Sequence, residues 1–177
     1  MGQGVERRGT QCRTRVVSRS VRRTDPTEAQ LLAMVEHVAY DMNELEAQYR
    51  AVAFEDGPTG SARNAAVLAF LIHARNLVAF YWPPPSGVQR EGDVFAYDFV
   101  PGLEIEQPNN DQSLSDLKKG ISTRVAHICL LRAEKLQWAP RVIRASLSGA
   151  RAEFLVNLAE PYRTDFAKRG ITYDQSY

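Results

Sequence analysis

From Leu31 to Ala53 the apolar residues Leu31, Met34, Val35, Val38, Met42, Leu45, Tyr49 and Ala53 recur at steps of three and four. That spacing predicts one amphipathic helix with a single buried stripe. Thr24-Asp25-Pro26-Thr27-Glu28 supplies capping residues, an early proline and an early acid at its start. Gly57-Pro58-Thr59-Gly60 ends it after about Phe54, and Ser61 can open the next helix, roughly 61–82. This second helix is apolar almost all round, the pattern of a central helix or one shared with a partner subunit. Pro83-Pro84-Pro85 stops it, because consecutive prolines cannot continue the hydrogen-bond ladder.

No helical period runs from Pro83 to about Gln112. Val94 to Val100 alternates, with Phe95, Tyr97 and Phe99 on one side, and is expected to be extended with its aromatics turned inward. A connection of this length is unusual in a compact domain and reads either as a packed cover or as a functional loop. A third helix is predicted over about 114–138, striped by Leu114, Leu117, Ile121, Val125, Ile128, Cys129 and Leu136. Ala139-Pro140 breaks it and begins a fourth, with Ile143, Leu147, Ala150, Phe154 and Leu158 inward to about Ala159. Pro161 is expected to kink the chain into a last turn through Phe166 before Gly170. The expected fold is an all-α, up-and-down four-helix bundle with a long ordered loop between the second and third helices.

Composition changes the picture mainly at the N-terminus. Residues 1–24 hold seven arginines against one acid, Glu6, whereas the rest of the chain is net acidic. The expected organisation is a basic disordered tail over 1–24, a helical bundle domain over 25–170 and a short C-terminal tail over 171–177. The tail could hold a phosphate backbone through counterion release, but it has no aromatic residue for base stacking. His73, Arg75 and Asn76 interrupt the longest apolar run, so no membrane span is expected. Cys12 and Cys129 lie far apart in unlike surroundings, which suggests free thiols and a cytoplasmic protein.

Candidate chemistry lies on the polar exceptions to the helical stripes. Arg75 shares its face with Leu68, Leu71, Ile72, Val78, Ala79 and Trp82, and Arg132 sits among Ile121, Val125, Ile128 and Leu136. Both guanidinium groups are expected to enter the core, where each needs an acid. Asp41 and Glu46, on opposite shoulders of the first helix's stripe, are the expected partners in this buried charge network. Such a network either sets helix register or forms a recess in which an arginine meets an anionic ligand such as phosphate.

His73 stands about 200° from Arg75 in azimuth and shares its face with Asn76, Ala69, Phe70, Leu77 and Phe80. Arg124 and His127 share a face of the third helix. His37, His73 and His127 fall on three helices, as ligands of a bundle metal site would, but His37 and His127 point away from the stripes. No Glu-x-x-His pair for a carboxylate-bridged di-iron centre is present. No metal or cofactor is therefore expected, and a metal-binding bundle is the weaker alternative.

The block Phe70-Leu71-Ile72-His73-Ala74-Arg75-Asn76-Leu77, the following Phe80-Tyr81, and Arg124-Val125-Ala126-His127-Ile128-Cys129-Leu130-Leu131-Arg132 resemble a group of bacterial helical proteins similar to the HEPN superfamily. The resemblance spans roughly residues 28–160. It implies a helical bundle, frequently a homodimer, of the kind found in toxin–antitoxin and phage-defence systems, where many members are metal-independent endoribonucleases. The superfamily hallmark is an arginine, usually a polar residue next, and a histidine four to six positions after the arginine. Arg75 and Asn76 match its first half, but Tyr81 stands six residues after Arg75 and no histidine lies in the window. Activity would then require His73 or His127 as general acid and base, with Arg75 or Arg124 stabilising the phosphorane. The alternative is a non-catalytic interaction or antitoxin-like module that binds RNA or a protein partner.

Overall fold

The computed structural model describes residues 23–54, 56–85, 88–107 and 139–173. The fold is all-α, with no strand among the described residues. Helix α1 spans Glu28–Ala53, α2 Gly60–Tyr81, α3 Ala96–Phe99, α4 Pro140–Asn157 and α5 Tyr162–Lys168. The third long helix expected over 114–138 lies outside the described residues.

The start of α1 follows from its sequence. Thr27 Oγ1 accepts from the Gln30 N–H at 3.3 Å and Gln30 Oε1 accepts from the Thr27 N–H at 2.8 Å, so two otherwise unsatisfied donors are paired reciprocally. Leu31, Val35, Val38, Met42 and Leu45 then form the buried stripe. On α2 the core takes Phe70, Leu71, Ala74, Leu77, Val78 and Tyr81. By length and composition α2 is apolar enough to cross a bilayer, yet these side chains pack against α1 and α4. Pro140 opens α4, which buries Ile143, Leu147, Ala150 and Phe154 as its period predicts.

Four phenylalanines from four segments knit the helices together. Phe154 lies 5.3 Å from Phe80, 5.9 Å from Phe99 and 5.6 Å from Phe166, all edge to face, the favoured aromatic geometry. Helix α5 ends where Gly170, at φ 76°, takes the left-handed conformation that a side chain disfavours. The N–H of Gly170 reaches Ala167 O and that of Ile171 reaches Phe166 O, both at 3.0 Å, and Ile171 is driven into the core at 1% exposure. Packing therefore runs one residue past the expected end of the domain at 170.

The connection after α2 departs from expectation. Residues 96–99 form a helical turn instead of an extended segment, because Asp98 Oδ2 accepts from the Phe95 N–H at 2.7 Å and closes the turn. Phe95 and Phe99 are nevertheless buried as expected. Trp82 Nε1 donates to Ile105 O at 3.2 Å and holds the connection against the end of α2.

Arg23 belongs to the fold rather than to the basic tail. Its guanidinium pairs with Asp98, donates to Asp93 O at 2.8 Å and to Tyr97 Oη at 3.1 Å, and lies 4.9 Å from the Phe95 ring centroid. Its side chain is 7% exposed and that of Asp98 4%. Burial by itself would lower the Arg23 pKa, but the Asp98 hydrogen bond and charge outweigh it and raise the value. A charge count along the tail could not identify this residue as the enclosed one, since its partners lie about 70 positions away.

Candidate functional site

The helical periods of α1 and α2 bring a polar cluster to the seam between them. Asp41 lies beside buried Met42 and Ala39, and His73 beside buried Ala74, so each stands at the margin of its helix's core face. His73 Nδ1 is 2.6 Å from Asp41 Oδ1. The carboxylate oxygen accepts, so the imidazole donates from Nδ1, and Nε2 is left as the nitrogen able to exchange a proton with a ligand. Among the described residues Nε2 has no hydrogen-bond partner. Asn76, one turn beyond His73, donates to the same Asp41 oxygen at 3.4 Å, a weak contact.

The imidazole is further held by Tyr40, whose ring meets it edge-on at 5.5 Å. Tyr40 itself is 57% exposed. The His73 side chain is 12% exposed and that of Asp41 21%, so the pair is partly open to solvent. An oriented imidazole with an anchored Nδ1 is the arrangement of a general acid–base, and it needs no metal. Among the described residues no cluster of three or more metal-ligating side chains occurs.

The predicted charge network is corrected at Arg75. Arg75 is exposed, not drawn into the core. The core direction of α2 runs through Phe70, Ala74, Leu77 and Tyr81, and Arg75 stands about 130° from it. Leu68 and Ile72, 40% and 45% exposed, share the outward face with Arg75. A helix apolar on every side gives no unique inward direction, so the azimuth inferred from composition chose the wrong face.

Among the described residues Asp41 and Glu46 do reach partners on other helices, and neither partner is Arg75. Asp41 holds His73, and Glu46 receives Arg144 Nε at 2.8 Å and 3.1 Å on its two oxygens. The Arg144 guanidinium also lies 4.9 Å from the Tyr49 ring centroid. Arg144 follows Ile143 and precedes Leu147 on α4, a shoulder position that could have nominated it. Arg124, His127 and Arg132 lie outside the described residues. His37 is exposed, as its azimuth on α1 predicts.

Of the predicted catalytic residues, the structure thus brings His73 and Asn76 together around Asp41 and sets Arg75 on another face. No family model matches the chain, and neither does any curated protein or solved structure.

Proposed function

We propose that the chain is an HEPN-like helical protein that binds RNA and cleaves it without metal, with His73 as the proton-transferring group. The observation that carries this reading is the 2.6 Å contact that fixes the His73 ring on Asp41. General acid–base transfer by such an imidazole contributes about 100-fold or more to a rate. In this scheme Asp41 positions the ring and Asn76 supplies a polar contact beside it. The ribose 2′-hydroxyl is the group from which His73 Nε2 would take the proton. Arg75 serves backbone binding on the neighbouring face rather than the reacting phosphate, and Arg124 and His127 remain candidates from the third helix.

The helical period over 114–138 supports a fourth long helix that completes the up-and-down bundle. The reading also places the protein in the cytoplasm, in a toxin–antitoxin or phage-defence setting, as a homodimer with RNA or an antitoxin protein as partner and with no membrane involved.

The experiment is cleavage of total RNA in EDTA by wild type beside His73→Ala, Asp41→Ala, His127→Ala, Arg124→Ala and Arg75→Ala. Cleavage that falls about 100-fold or more in His73→Ala is expected. No cleavage by wild type, or cleavage that His73→Ala leaves untouched, removes the ribonuclease reading. A second reading, a non-catalytic interaction module, is favoured by one observation: Leu68 and Ile72 stand exposed beside Arg75 on the outward face of α2.

A further inference from the structure

Tyr81 ends α2 with its ring buried between α1 and α4, in edge contact with Phe80 and Phe154. Its hydroxyl is fully enclosed and, among the described residues, meets no hydrogen-bond partner. Burial pushes the phenol's pKa well above the ordinary 10.0, although the Arg151 charge opposes the shift, so the group stays a neutral O–H. An enclosed hydroxyl without a partner is costly, and nearly all such groups in folded proteins are satisfied by protein or by ordered water.

Against Tyr81 lies a small cavity of about 10 Å³. Its polar lining comes from three helices: Glu46 of α1, Tyr81 of α2, and Ser148 and Arg151 of α4; apolar side chains such as Met42 and Leu147 complete it. The volume matches the room that one water centre requires, and a buried water usually finds about three hydrogen-bonding groups. The four polar groups lining this cavity supply both acceptors and donors: a carboxylate, two hydroxyls and a guanidinium.

We propose that this cavity, closed at Tyr81 and partly open at its polar rim, is a binding site for a single water molecule, which joins the Tyr81 hydroxyl to Ser148, Glu46 or Arg151. The water ties the end of α2 to α1 and α4 where direct side-chain contact falls short. Glu46 keeps lone pairs for it while accepting from Arg144, because an ionised carboxylate has about four acceptor positions. This site is independent of the ribonuclease reading, since its lining includes neither Asp41 nor His73.

The test is a crystal structure of the full chain at a resolution that shows ordered water, about 2 Å or better, with Tyr81→Phe as the paired variant. The expected result is a density peak within about 3.2 Å of Tyr81 Oη and of a second polar group from the lining. In Tyr81→Phe the unfolding equilibrium constant is expected to rise about two- to tenfold, the usual worth of one buried hydrogen bond. A dry cavity overturns the proposal, as does a Tyr81 hydroxyl bonded directly to Ser148 or Arg151. The wild-type map decides even if the variant fails to fold.

Discussion

Arg23–Asp98 and His73–Asp41 are both contacts between an acid and a basic side chain on separate segments, but they are closed to different degrees. Around Arg23 every side is occupied: a carboxylate, a backbone carbonyl, a tyrosine hydroxyl and two aromatic rings. Around His73 one ring nitrogen is anchored and the ring edge meets a half-exposed tyrosine, while the second nitrogen has no described partner. Full satisfaction makes a charge a structural clasp. Partial satisfaction leaves chemistry to do, and this difference, rather than residue type, separates an anchor from a candidate site.

The largest effect expected from breaking this comparison is at the clasp. Asp98→Ala leaves the Arg23 guanidinium enclosed without its carboxylate and should cost about 3 kcal/mol in urea unfolding. A loss below about 1 kcal/mol would mean that water readily replaces the acid there.

Next in size comes alkaline pH. Burial raises the pKa of Tyr81, Tyr97 and Tyr162 above the ordinary 10.0 in the folded chain, with the Arg23 charge opposing the shift at Tyr97. Above about pH 10 the unfolded phenols release protons first, so stability present below that pH is lost as pH rises toward the native values. For fully buried Tyr81 the slope is about 1.4 kcal/mol per pH unit, and Tyr81→Phe should flatten the melting temperature between pH 10 and 11.

Asp41→Ala is the smaller counterpart of the clasp substitution. It should cost about 1 kcal/mol in the same urea experiment, because the pair is partly open to water. A cost equal to that of Asp98→Ala would make the Asp41–His73 pair a second anchor and weaken its standing as a site. Smallest of all is Ile72→Ser on the outward face of α2, expected to change stability by no more than about 0.5 kcal/mol. If that face carries the homodimer contact, light scattering should shift toward the 19.9 kDa monomer in the variant. An unchanged mass locates the contact elsewhere.

Legibility differed from element to element. The stripes of α1 and α4 were readable because each has one apolar side, and Leu31, Met42, Leu147 and Phe154 lie where the period puts them. Helix α2 has no polar side, so its existence could be read but its orientation could not, and Arg75 was turned inward in error. Within the candidate site, the shared face of His73 and Asn76 and the shoulder position of Asp41 were readable from spacing. Their pairing was not, because the rotation of α1 against α2 about their axes selects which shoulder meets which.

Local pattern alone determined the all-α class, the bounds of the long described helices and most of their buried faces, since these follow from the 3.6-residue period and from proline and capping chemistry. Tertiary structure alone decided which polar side chains meet: Asp98 and Arg23, Arg144 and Glu46, Asp41 and His73. These side chains pair through space at a few ångströms, between residues 32 to 98 positions apart along the chain, and no periodicity encodes such separations.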